Sequence, residues 1–200
     1  KLNCKVCQLV KLYKNGKPFK MSKRSGDFIS AQDLLNEVNK DSIRFMMLNR
    51  SNDVELDFDF EKVKEKTKDN PVYYVQYAYA RINSITRILK KNLNDNIIVD
   101  QDTFSPNEYE KKIIRKIFEW PKLIESASYK LEPHKIPFYL YELSTLFHSY
   151  WSKGNDDDNY KIIENGKLKR KESLIIIYLI SIVIKNGMNM GIVNPNLLEI

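Results

Sequence analysis

Apolar residues recur at helical spacing over most of the last two-thirds of the chain. Val72, Val75, Tyr79, Ile82 and Leu89 form one stripe, with Tyr74, Tyr77, Ala78, Arg81 and Ile85 beside it. That spacing predicts a helix from 71 to about 91. Asn70-Pro71 supplies its start, Asn as N-cap and Pro at the first position. Ile113, Ile114 and Ile117 predict a second helix, capped by Ser105-Pro106-Asn107-Glu108, and Pro121 should kink or restart the chain. Ile136, Leu140, Leu143, Phe147 and Tyr150 alternate steps of four and three, a helix with a buried seam. Residues 154–158 read as an acidic turn. Residues 170–185 make the most hydrophobic helix, with Gly187 as its expected stop. The fold class is therefore mainly α: about five helices with short connections, an α-helical bundle.

The first 70 residues are patterned differently. Residues 2–13 mix apolar and polar positions and read as extended, and Asn15-Gly16 marks a turn. Residues 17–30 are basic and read as a loop. Ser30, with Asp33 three residues on, can cap a helix carrying Ala31, Leu34, Leu35 and Val38, and a further helix should cover 42–49. Residues 51–60 are acidic and break the helical pattern; 62–68 are charged.

Composition narrows the class. Hydrophobic residues make up 42% and charged residues 30%, which predicts a packed core rather than disorder. The longest apolar run, 174–184, is short of the ~20 residues a spanning helix needs, so a buried core helix is expected and no membrane partner. The formal net charge of +7 fits a polyanionic partner such as RNA, or simply a lysine-rich surface. Cys4 and Cys7 form one C-x-x-C without a second pair, which predicts free thiols in a reducing compartment and no metal site. His134 and His148 have no nearby Cys and are expected to be structural or on the surface. No signal peptide is visible, and the chain begins at Lys1 without a Met, which leaves the true N-terminus open.

Two stretches carry chemistry. Lys20-Met21-Ser22-Lys23-Arg24 puts two lysines and a serine on a loop suited to nucleotide phosphates, where ammonium groups can neutralise departing pyrophosphate; a solvated basic loop is the bland alternative. The run from Asp69 to Arg81 is a capped helix dense in tyrosine with one arginine. It can stack on splayed RNA bases and pair with phosphate, or simply bury its rings with hydroxyls at the surface.

In residue order, the first stretch resembles the KMSK signature of class I aminoacyl-tRNA synthetases. Gly16-Lys17-Pro18 before it, then Ser25-Gly26-Asp27 and Asp33-Leu34 after it, resemble the arginine-specific branch. Asp69-Asn70-Pro71-Val72-Tyr73-Tyr74-Val75-Gln76-Tyr77-Ala78-Tyr79-Ala80-Arg81 is similar to the entry of the helical, DALR-type anticodon-binding domain of arginyl-tRNA synthetases, with Tyr79 where many relatives carry His. Residues 139–151 and the stretch from Arg170 to the tail resemble later helices of that domain.

The resemblance implies the C-terminal portion of an enzyme that attaches arginine to its tRNA. Residues 1–29 would be the edge of the catalytic domain, 30–68 a connecting stem-contact region, and 69–200 the anticodon-binding bundle. Lys20 and Lys23 would be catalytic, within an ATP-binding loop of Lys20, Met21, Ser22, Lys23 and Arg24. Tyr74, Tyr77, Arg81 and Trp151 would contact tRNA. ATP with Mg2+ and arginine would serve the full-length, cytoplasmic, monomeric enzyme. This chain has no H-I-G-H-like motif and is expected to bind no cofactor and to form no arginyl-adenylate alone. A cysteinyl or methionyl type of class I synthetase, or a non-catalytic RNA-binding module derived from one, remain alternatives.

Overall fold

A computed structural model of the chain describes residues 2–19, 29–92 and 104–190. Asn15 and Gly16 both take positive φ, 53° and 70°, the tight turn that joins β1 (Val10–Lys14) to β2 (Lys17–Pro18). On its other side β1 pairs in parallel with β3 (Leu56–Asp59), giving the sheet order β2-β1-β3. The acidic stretch 51–60 thus does more than interrupt helices. Leu56 and Phe58 are buried and Asp57 is exposed, the period-two alternation of a half-buried strand.

A parallel pair needs a crossover, and α1 (Ala31–Glu37) and α2 (Lys40–Leu48) lie in it. The Ser30–Asp33 capping box forms as expected. Asp59 caps α3 (Phe60–Lys64), accepting from the N–H groups of Glu61 and Lys62. Leu12, Val38, Leu56, Phe58, Phe60 and Val63 close a small core, with Phe58 and Phe60 edge to face at 5.7 Å. The described residues of the stretches 1–29 and 30–68 share this sheet and this core.

The remaining helices form the bundle: α4 (Pro71–Asn92), α5 (Glu108–Phe118), α6 (Trp120–Lys130), α7 (Lys135–Asp156) and α8 (Lys171–Asn189). Val75, Ala78 and Ile82 of α4 meet Leu140, Leu143 and Phe147 of α7 and Ile177, Ile180 and Ile184 of α8 in one core. By length and composition α8 could cross a membrane, but its inner stripe is buried in this bundle while Ile175, Tyr178, Leu179 and Ile182 face outward.

Three details correct the sequence reading. Gly187 does not end α8, which runs on to Asn189; a Cβ there would lie 2.8 Å from Leu140 Cδ2, so the glycine lets α8 approach α7 closely. Asn70 does not cap α4 with its side chain. Its amide donates to the Val63 and Glu65 carbonyls, both at 2.8 Å, and clasps α3 to α4. The expected acidic turn begins late, because α7 continues to Asp156. The hairpin of β4 (Ile163–Glu164) and β5 (Lys167–Leu168), turning through Asn165 and Gly166, had gone unread.

One polar cluster fixes the bundle. Glu110, in the first turn of α5, has no exposed surface. It closes the capping box with Asn107 by accepting from that residue's N–H at 2.7 Å. Tyr150 of α7 donates to it at 2.8 Å, Ser173 of α8 at 2.7 Å, and Arg170, the N-cap residue of α8, at 3.0 Å. Burial alone would raise the Glu110 carboxyl. The Asn107 N–H, Ser173, Tyr150 and Arg170 outweigh burial and hold it below the usual carboxylate range.

A carboxyl depressed in the folded state contributes stability that is whole above its unfolded pKa and is lost as pH falls through the folded value. Glu110→Gln is expected to cost about 3 kcal/mol at neutral pH, the low end for a broken buried pair, because Arg170 keeps 27% of its side chain exposed. It should also flatten the acid limb of the stability curve. Urea unfolding at several pH values measures both effects; a variant with the parental acid limb contradicts this account.

Candidate nucleic-acid interface

Steps of three and four along α4 put Tyr74, Tyr77 and Arg81 on one face. The facing surface of α7 carries Tyr141, Phe147, His148 and Trp151. The Tyr74 ring lies 4.3 Å from His148 and 5.3 Å from Tyr141. Tyr77 lies nearly parallel to His148, 20° and 5.5 Å apart. On its N-terminal side Tyr73 stacks on Tyr77 at 5.8 Å and 10°. Arg81 donates a hydrogen bond to the Tyr77 hydroxyl. Its guanidinium carbon sits 4.4 Å from the Tyr77 ring centroid and 5.1 Å from that of Trp151. The structure thus brings together Tyr74, Tyr77, Arg81 and Trp151, all half-buried, from positions up to 77 residues apart in sequence. Tyr79 points the other way and is 7% exposed in the core.

His148 holds the centre of this cluster, and sequence reasoning gave it only a structural or surface role. It does serve structure: its Nε2–H donates to the Tyr74 carbonyl at 3.2 Å. It also joins the ring column. The missed signal was its spacing of three from Trp151 and seven from Tyr141, which places all three on one helical face. Burial pushes the His148 imidazole below its ordinary value and the Arg81 charge adds to this, against the opposing bond to Tyr74. The Tyr74 hydroxyl is pushed up, by burial first and by Tyr141 next. Both rings are therefore uncharged at neutral pH, and Arg81 is the cation of the cluster. None of the ion pairs among the described residues involves Arg81.

The cluster offers ring faces and one guanidinium, with no nucleophile poised beside a base. It suits binding rather than bond-making. Ring faces stack on unpaired bases, and a guanidinium held by rings instead of a carboxylate remains available to phosphate or a base edge. Elsewhere, the loop candidates Lys20, Met21, Ser22, Lys23 and Arg24 lie outside the described residues. Cys4 and Cys7 are exposed free thiols, and His134 sits at the N-cap of α7, edge-on to Phe138.

Comparison with known proteins points the same way. Residues 75–196 match the DALR anticodon binding domain. The chain is 56% identical over 196 residues to an arginine–tRNA ligase of Pelagibacter ubique, covering 98% of this chain and 34% of that one. It is 45% identical to an arginine–tRNA ligase of Rhizobium etli, over 94% of this chain and 33% of the relative. The chain thus spans about a third of the length of these curated relatives. The fold matches the Thermus thermophilus arginyl-tRNA synthetase with a TM-score of 0.65 at 19% identity, over 97% of this chain and 34% of that chain.

The depressed His148 imidazole has a stability consequence. Its contribution is whole above the unfolded value of 6.5 and is lost as pH falls below that value through the folded one. Urea midpoints should therefore decline between about pH 7.5 and pH 5.5, and His148→Phe should remove part of that decline. An identical pH dependence in the two proteins would show that His148 is not the titrating group.

Proposed function

The chain belongs to the DALR anticodon-binding domain family, and we propose that it is the part of an arginine–tRNA ligase that grips the anticodon arm of tRNA. The observation that carries this reading is Arg81. Its guanidinium is lodged between Tyr77 and Trp151 with no carboxylate partner among the described residues. A half-buried cation held by ring faces and one hydroxyl, with no counter-charge, is incomplete without an anion or a polar base edge. Tyr74, Tyr77 and Trp151 then stack on unpaired loop bases, and the formal charge of +7 draws the polyanion in. The likeness to arginine–tRNA ligases across nearly all of the chain favours arginine over the cysteinyl and methionyl types.

In the whole enzyme the division of labour follows the sequence. Residues 1–29 supply the edge of the catalytic domain, 30–68 contact the tRNA stem, and 69–200 hold the anticodon arm. Lys20 and Lys23, with Met21, Ser22 and Arg24 shaping the loop, hold the triphosphate. ATP with Mg2+, when bound, supplies the activation of arginine. The enzyme works as a cytoplasmic monomer.

Binding of an arginine-tRNA anticodon stem–loop RNA, followed by fluorescence anisotropy, tests the reading. Affinity should fall steeply with salt, and Arg81→Ala should reduce the salt slope by about one. Tyr77→Ala should cost about 1–3 kcal/mol. Salt-insensitive binding, or full affinity in both variants, sinks it. The chain alone should also catalyse no arginine-dependent ATP–pyrophosphate exchange; robust exchange would show that the reaction needs nothing beyond these 200 residues.

A further inference from the structure

The ring column on α4 does not stop at Tyr77. Tyr73 lies one turn nearer the start of the helix, parallel to Tyr77 within 10°. Tyr73 also lines a cavity of about 220 Å³ where α2, α3 and α4 meet. Asn39 at the N-cap of α2, Ser42 of α2, Lys66 from the segment after α3, and Asn70 and Gln76 help line it. The lining contains two lysines and one glutamate. Lys64 is held by Glu37 and Glu61, and Glu65 accepts from the Thr67 hydroxyl. Lys66 is exposed and takes part in no ion pair among the described residues. Asn70, only 4% exposed, spends its amide on two carbonyls, and its Oδ1 meets no donor.

We propose that this cavity is a second nucleotide site, in which one unpaired base stacks on Tyr73 and its phosphate meets Lys66. It continues the platform of Tyr77 and Arg81 and rests on the reading that the platform binds RNA. Three features carry the inference. Tyr73 stacks on Tyr77 at 5.8 Å, one helical turn away, so it lengthens the ring column of the platform by one further ring along the same axis. At about 220 Å³ the cavity lies below the ~300–1,000 Å³ of sites for larger ligands, a size that suits a single base. Its walls pair one aromatic face with an unengaged cation and polar side chains, the combination that a nucleotide uses. The RNA strand therefore runs along α4 from Trp151 and Arg81 towards the joint with α3.

The test uses the 200-residue chain and an arginine-tRNA anticodon stem–loop in which each loop nucleotide is made abasic in turn. Tyr73→Ala should weaken binding of the intact RNA about tenfold or more, the range for one stacked base, while Tyr73→Phe keeps full affinity. Lys66→Glu, at an exposed position that cannot upset the core, should weaken binding and lower the salt dependence. One loop nucleotide should lose its abasic penalty in Tyr73→Ala, and a different one should lose it in Tyr77→Ala. If Tyr77→Ala binds weakly while Tyr73→Ala and Lys66→Glu bind like the parent, the second site is refuted and the platform stands. If both tyrosines answer to the same nucleotide, the second site is again refuted. If the parent chain binds no RNA, the platform fails and this site with it.

Discussion

A carboxylate with no exposed surface must be paired from every side or it unfolds what surrounds it. Glu110 meets that demand with donors from the cap of α5, from Tyr150 of α7, and from Arg170 and Ser173 at the head of α8. The consequence is geometric as well as energetic. Tyr150 is bonded to Glu110 and also approached by Asn107 and Ser173, so the roll of α7 about its own axis is set at that residue. Trp151 is its neighbour in sequence, and His148 and Phe147 lie less than one turn back. Fixing Tyr150 inward turns their side of α7 towards α4, where Tyr74, Tyr77 and Arg81 are waiting. The aromatic face takes its order from the polar cluster that holds Tyr150 of the same helix.

Arg81 presents the reverse case. Glu110 is a charge whose partners are all supplied by the chain; Arg81 is a charge given only ring faces and one hydroxyl. A guanidinium tolerates this better than an ammonium because it is planar and weakly hydrated, and it can lie flat on a ring while its edge stays open. Lysine in that slot would have to shed tightly bound water without gaining a stacked plane. The chain therefore closes one ionic network completely and leaves another short of an anion. The open one lies among tyrosines, in a protein whose formal net charge is +7.

Much of this was legible beforehand, for reasons that can be stated residue by residue. Tyr74, Tyr77 and Arg81 share a face because steps of three and four must bring them together on any α-helix. The bundle was legible from the same period, in the runs of α4 and α7. What escaped needed partners far away in sequence. Glu110 reads locally as an ordinary capping glutamate, and nothing nearby says that Tyr150, Arg170 and Ser173 will converge on it. Gly187 reads as a helix stop because glycine usually is one; only the Leu140 side chain 2.8 Å from its missing Cβ reveals a close helix approach. The strand Leu56–Asp59 was available as alternation but was masked by its acidic residues. Lys20 to Arg24, the clearest motif in the sequence, lie outside the described residues.

The joint between the small sheet and the bundle turns on Asn70. Asn70 gives its amide to the Val63 and Glu65 carbonyls, so the last turn of α3 and the first turn of α4 are held by one side chain with 4% exposure. Val63 also belongs to the small core, and Val72, two residues past the clasp, belongs to the large one. A shift of the sheet unit therefore pulls on the start of α4, and the ring column of Tyr73, Tyr77 and Arg81 starts at that point. Such coupling needs no separate pathway: one helix carries the aromatic face along its length and the joint at its end. An RNA strand lying along that helix would touch both units, and its binding energy would oppose their separation.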